Sequence, residues 1–185
     1  NLNDITLVNA SANVFNKITD SKYTALITPT TDGTVTVSIA ADTLQDVAGN
    51  NNSISNVFSI INDTTKPTLV ITSDTANPTN VSSFVATFTF SEDVADFDET
   101  YFTLTNATSS NFVYVNDAVY KATITPTADG TVTIDVPENE TEDNANNGNV
   151  AAQYTTVIET VKPTVTITST VTNPTKSAFK ATFTF

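Results

Sequence analysis

The stretch Ile27-Thr28-Pro29-Thr30-Thr31-Asp32-Gly33-Thr34-Val35-Thr36-Val37 returns 97 residues later as Ile124-Thr125-Pro126-Thr127-Ala128-Asp129-Gly130-Thr131-Val132-Thr133-Ile134. Lys66-Pro67-Thr68-Leu69-Val70-Ile71-Thr72-Ser73 returns 96 residues later as Lys162-Pro163-Thr164-Val165-Thr166-Ile167-Thr168-Ser169. Both offsets are the size of one small β-domain and exceed the period of a solenoid or propeller blade. A chain written this way is a slice of a tandem array, and it is expected to serve reach and mechanics before chemistry.

Inside the repeat the pattern is that of strands. Phe84-Val85-Ala86-Thr87-Phe88-Thr89-Phe90 carries large or apolar residues at alternate positions, the period of a half-buried strand. The intervening Thr is β-branched, favours the extended backbone and tolerates water. No helical period is sustained anywhere. From Lys66 to Thr160 the pattern predicts seven strands, at 67–73, 84–90, 101–106, 111–115, 119–125, 131–136 and 151–158. The expected fold is therefore all-β: tandem immunoglobulin-like β-sandwich domains of about seven strands each, in an elongated array. Phe84, Phe88, Phe90, Phe102, Leu104, Tyr120, Ala122, Ile124, Val132, Ile134 and Val136 form the expected core. Asp32-Gly33 and Asp129-Gly130 are expected to make tight turns in which Gly takes positive φ.

Composition closes off most chemistry. Twenty acidic residues stand against seven Lys, with no Arg and no His, for a net charge of −13. Nucleic acid is not an expected partner, because phosphate contacts need a basic footprint. Cys, Met, Trp and His are all absent, which removes disulfides, thiolate chemistry and the commonest catalytic base. Paired carboxylates raise glycosidase chemistry, but no Trp platform or aromatic cleft motif accompanies them. The chain is not expected to be an enzyme. No apolar run approaches the length of a membrane span, so direct membrane insertion is not expected.

Three domain pieces are expected: residues 1–63, which lack the first two strands, a complete domain at 64–160, and the first two strands of a third domain at 161–185. The joints fall at Asp63-Thr64-Thr65-Lys66-Pro67 and Glu159-Thr160-Val161-Lys162-Pro163. Each is short and ends in Pro, which restricts φ and favours a semi-rigid rod. The uneven ends have two readings. Either they mark where a longer chain was cut, or the last strands of one molecule complete the opening unit of the next in a self-assembling fibre.

Taken together, Lys66-Pro67-Thr68, Phe88-Thr89-Phe90-Ser91-Glu92-Asp93-Val94, and Tyr120-Lys121-Ala122-Thr123-Ile124-Thr125-Pro126 with Asp129-Gly130-Thr131 resemble the bacterial Ig-like repeats of large surface adhesins. Asp46-Val47-Ala48-Gly49-Asn50-Asn51 is close to the Asp-x-Ala-Gly-Asn turn of such repeats. The second copy, Asp143-Asn144-Ala145-Asn146-Asn147-Gly148-Asn149, has its Gly displaced by two positions. The resemblance covers essentially the whole chain. It implies an extracellular protein of the bacterial cell surface whose repeats act as a stalk, often stiffened by calcium.

Acidic residues crowd two loops. Ser91 to Glu99 carries five carboxylates, and Glu138, Glu140, Glu142 and Asp143 precede the last strand. In an Ig-type unit these loops sit at the end where the chain enters. Asp32 and Asp63 of the first unit are then expected to meet Glu92, Asp93, Asp96 and Asp143 of the second. Such a set suits calcium, which takes six to eight oxygen ligands. A solvated acidic surface with ordinary turn residues is the competing reading. At the second joint Asp129 and Glu159 are the equivalents, in an incomplete set. Asp46 with Asn50, and Asp143 with Asn147, are alternatively local Asx-turns. Asp42-Thr43-Leu44, Asp63-Thr64-Thr65 and Asp74-Thr75-Ala76 resemble a bacterial O-glycosylation triplet at Thr43, Thr64 and Thr75, although a Thr-rich chain produces such triplets by chance.

The expected role is a structural stalk or spacer of a long surface adhesin or filament, partnered by neighbouring repeats or like copies. A glycan- or cell-surface-binding adhesion module is the alternative. The loops carry mainly Asp, Asn, Thr and Ala rather than Tyr or Trp, which favours the spacer.

Overall fold

A computed structural model describes residues 1–185. A single turn of 3-10 helix at Leu2–Asp4 precedes β1 (Thr6–Val8), β2 (Ala10–Thr19), β3 (Lys22–Pro29), β4 (Gly33–Ser38) and β5 (Phe58–Asn62). The repeat then begins again with β6 (Leu69–Ser73), β7 (Phe84–Phe90), β8 (Thr103–Thr105), β9 (Ala107–Asn116), β10 (Val119–Pro126), β11 (Gly130–Val136) and β12 (Ala152–Ile158). A last hairpin-like pair, β13 (Thr166–Thr168) and β14 (Thr182–Thr184), follows.

The architecture is all-β, in small antiparallel sheets consistent with tandem Ig-like β-domains. Between residues 64 and 160 one sheet runs β6-β7-β10-β9 and another β12-β11-β8. Sixteen buried residues from both sheets and the loop after β7 form one cluster, including Leu69, Phe84, Phe88, Ile124, Ile134 and Ile158. Alternation explains it: in β7 every second residue, Phe84, Ala86, Phe88 and Phe90, is buried while Thr89 faces out. In residues 1–63 the same order recurs as a β1-β4-β5 sheet and a separate β2-β3 pair.

Three expectations are corrected. The strand expected at 101–106 shrinks to Thr103–Thr105, because Asn106 adopts φ 58°, a conformation Asn tolerates better than most residues. The strand expected at 111–115 extends back to Ala107, since the small residues Ala107 to Ser110 pair with β10. Leu104 packs against the core while only partly buried. Asp32-Gly33 and Asp129-Gly130 turn the chain with Gly at positive φ, as expected, and do so between sheets rather than within a hairpin. Gly33 and Gly130 have φ of 118° and 123°, and the turn carries the chain from β3 to β4 or from β10 to β11, strands of different sheets.

One connection was not legible in the alternation. After β6 the chain crosses to the other sheet, where Thr79 pairs in parallel with Ile158. Thr79 N donates to Val157 O at 2.9 Å, Glu159 N donates to Thr79 O at 2.9 Å, and Val157 N donates to Asn77 Oδ1 at 3.0 Å. The strand entering the second joint is thereby held along its outer edge.

Candidate functional site

The linker at 63–67 is tied to both of its neighbours. On the upstream side Asp32, delivered by the turn after β3, accepts from Thr64 N (3.0 Å) and Thr64 Oγ1 (2.8 Å) through Oδ1, and from Thr65 Oγ1 (2.7 Å) through Oδ2. These bonds, the Thr65 hydroxyl first and the Thr64 hydroxyl next, hold the Asp32 carboxyl below its usual range. On the downstream side Val150 N donates to Pro67 O (2.8 Å), and Lys66 Nζ donates to Asn139 Oδ1 (3.3 Å). Asn147 Nδ2 donates to Asp63 O (3.2 Å).

At this place three carboxylates from three separate stretches converge: Asp63 of the linker, Glu92 after β7 and Asp143 before β12. Each offers an oxygen within 4.8 Å of the others. Burial first, then the charges of Asp143, Asp63 and Asp93, push the Glu92 carboxyl up. Burial also acts to raise Asp143, but donation from the Asn147 main chain and side chain and from the Ala145 and Asn146 main chain outweighs it, and its carboxyl lies below its usual range.

Asp143 closes a small ring. Its Oδ1 accepts from Ala145 N (2.7 Å) and Asn147 N (2.9 Å), and its Oδ2 from Asn147 Nδ2 (2.8 Å). Asp46 does the same with Ala48 N, Asn50 N and Asn50 Nδ2. The displaced glycine has a physical account. Gly49 sits at φ 85° and the equivalent Asn146 at φ 65°, so Asn fills the left-handed position in the second copy. Gly148 is needed for a different reason: a Cβ there would run into the Asn139 side chain and come within 3.1 Å of Asn139 Cα.

The other expected residues lie elsewhere. Asp32 is engaged with Thr64 and Thr65 rather than grouped with the three acids. Asp93 and Asp96 are exposed, on either side of the buried Val94 and flanking Phe97. Asp129 repeats the Asp32 arrangement at the second joint, accepting from Thr160 Oγ1 (2.7 Å) and Thr160 N (3.1 Å). Glu159 is exposed beside it. Thr43 Oγ1 donates to Ala40 O (2.9 Å), Thr64 Oγ1 to Asp32, and Thr75 Oγ1 shares a hydrogen with Ser73 Oγ (2.9 Å).

Sequence reasoning missed Asn149 and its counterpart Asn52. Asn149 is fully buried, accepts from Glu140 N (2.8 Å) and Thr141 N (3.0 Å), and donates to Pro137 O (2.9 Å) and Val150 O (3.0 Å). Asn52 makes the same four bonds with Thr43 N, Leu44 N, Ala40 O and Ser53 O. Recurrence of Asn at a fixed offset of 97 was the available signal. Each side chain holds in shape the loop before the last strand of its own segment.

Fold and site together define a non-catalytic, all-β Ig-like repeat module with its polar chemistry at the joints. The sequence pattern of the bacterial Ig-like domain matches residues 63–158, and the chain belongs to that family. The family is a structural module without catalytic activity, typically extracellular or at the cell surface. None of the curated proteins matches the sequence. No helix is long and apolar enough to cross a membrane.

Proposed function

We propose that the chain is a stalk segment of a bacterial surface adhesin, with one complete two-sheet sandwich domain at 64–160 between a partial domain at 1–63 and the first two strands of a third at 161–185, and with calcium stiffening the joint at 63–67. At roughly 40–45 Å per unit, from strand length plus loops, an array of such domains spans distance with little material.

The observation that carries this reading is the convergence of Asp63, Glu92 and Asp143 from linker, loop and loop. The donor set fits a hard cation. It is all oxygen, it carries three negative charges, and the nearby Lys66 ammonium is directed to Asn139 instead. Like charges at this spacing repel, and the raised Glu92 carboxyl is the sign of it. A divalent cation replaces that repulsion by attraction and fastens the linker to the two loops of the domain it enters. Main-chain carbonyls and water would complete the six to eight ligands calcium takes.

The test is thermal unfolding of the chain with calcium and with chelator, alongside Glu92→Gln. A ligand held at about a hundred times its Kd stabilises by about 2.7 kcal/mol, so a shift of several degrees is expected. Glu92→Gln should abolish most of the shift. Superimposable curves with calcium and chelator would overturn the calcium part and leave the acids as solvated surface.

A further inference from the structure

Asn147-Gly148 is the one Asn-Gly pair in the chain. Asn is a thermolabile residue, and the route of its loss is attack by the next main-chain nitrogen on the side-chain amide carbon. A following Gly has no Cβ to screen that attack. In the structure the Gly148 N–H makes no hydrogen bond, although its neighbours do: Asn147 N donates to Asp143 Oδ1 and Asn149 N to Thr141 O. The amide under attack is half-buried at the joint, and it supplies the only hydrogen bond from the 143–149 loop to the linker, Asn147 Nδ2 to Asp63 O.

We propose that Asn147 is a self-modifying site whose deamidation unfastens the Asp63 end of the 63–67 linker from the 143–149 loop of the domain that follows. The Gly148 nitrogen bonds to Asn147 Cγ, and the Cγ–Nδ2 bond breaks. Ammonia leaves, carrying the hydrogen from that main-chain nitrogen, and water opens the five-membered imide to aspartate or isoaspartate. The donor at Nδ2 is thereby replaced by an acceptor. It then faces Asp143 Oδ2 and Asp63 O, which are acceptors themselves, and a fourth carboxylate joins Asp63, Glu92 and Asp143. Isoaspartate also lengthens the main chain by one carbon and breaks the ring that Asn147 closes with Asp143. The two bonds on Nδ2 hold the amide still while the joint is closed. Conversion therefore proceeds from the open joint and keeps it from closing again. This holds with or without a bound cation.

The chain contains its own control. Asn50 sits in the same ring, with Nδ2 donating to Asp46 Oδ2 at 2.9 Å, but it is followed by Asn51. The experiment ages the 185-residue chain in mildly alkaline buffer and follows conversion by peptide mapping. Asn147 should convert several times faster than Asn50, and equal rates, or no conversion at Asn147, would overturn the proposal. Amide exchange at Thr64 and Thr65 should then be faster in Asn147→Asp than in the unmodified chain, with β7 unchanged. Unchanged exchange at those amides would overturn the unfastening. If Asn147→Asp does not fold, the aged wild-type chain, separated by charge into converted and unconverted fractions, gives the same comparison.

Discussion

Residues 1–63 and 64–160 spell out much the same strands, yet they are packed very differently. In the opening segment Val35 alone is buried, whereas the middle segment buries a sixteen-residue cluster. Equivalent positions make the contrast plain: Tyr23 is 48% exposed and Tyr120 only 3%. The difference lies in β6, β7 and the loop after them, which have no counterpart within residues 1–63. They contribute Leu69, Ile71, Phe84, Ala86, Phe88, Phe90, Val94 and Phe97, half of the cluster. The later strands, in both sheets, therefore supply half of the core, and β6, β7 and the loop after β7 close it by supplying the rest. Local sequence makes the strands, and pairing across the whole repeat makes the core.

The largest effect is expected where that closure is concentrated. Phe88 is fully buried between Phe97 (5.4 Å between ring centres) and Phe102 (4.9 Å). Phe88→Ala should cost the middle segment about 3–5 kcal/mol, as transfer and cavity terms add. Tyr23→Ala, which removes an exposed ring stacked on Phe15 at 5.5 Å, should cost about 1 kcal/mol or less. Urea unfolding of both variants measures the difference. Similar losses would mean the two segments share one cooperative unit, and the contrast drawn from burial would fail.

A smaller effect separates the two loop-supporting asparagines, which make the same four bonds at different depth. Asn149→Ala leaves the buried Thr141 N–H and the partly buried Glu140 N–H, Pro137 carbonyl and Val150 carbonyl without this partner, and about 3 kcal/mol should be lost. Asn52 is half-exposed, so water takes over part of its role, and about 1 kcal/mol is expected for Asn52→Ala. Urea midpoints at constant slope would check this, and an Asn52→Ala loss equal to that of Asn149→Ala would show that burial is not what sets the cost.

Strands and core were readable because alternation reports directly on which side chains face inward. The acidic loop was not, because there two patterns overlap. From Ser91 to Glu99 the carboxylates catch the eye, yet Val94 and Phe97 are the members that fix the loop, and Phe97 lies against Phe88, Phe90, Phe102, Phe112 and Tyr120. With those two anchored inward, Asp93 and Asp96 are carried outward. Likewise the Asp of each Asp-Gly pair was legible as a turn former, but its partners, Thr64 and Thr65 or Thr160, stand about thirty residues on, beyond any local pattern. Side-chain bonds across that distance are set by tertiary placement, and sequence offers only the repeat itself as a clue.

The two joints differ as the two segments do, and pH separates them. Both carry an Asp clamp, Asp32 on Thr65 and Thr64, Asp129 on Thr160, and hydroxyl donation lowers both carboxyls. A lowered acid favours the folded state when ionised, so its contribution is full above the ordinary aspartate range and is lost as pH falls through the lowered value. Glu92, raised by burial and then by Asp143, Asp63 and Asp93, has the opposite sign. Its ionised form is penalised in the folded state, so the penalty is full above the raised value and disappears once Glu92 is protonated. Acidified from neutral in chelator, the first joint should therefore gain stability as Glu92 takes its proton, then lose it as the Asp32 clamp fails. The second joint has the clamp without a counterpart of Glu92 beside it and should show only the loss. Amide exchange at Thr64 and Thr160, corrected for the intrinsic pH dependence, reads the two joints separately. Glu92→Gln should remove the rise at the first joint and leave the acid-side loss, while Asp32→Asn should do the reverse. If both joints follow one curve in the unmodified chain, the three acids do not act on the linker, and the first joint is held by its clamp alone.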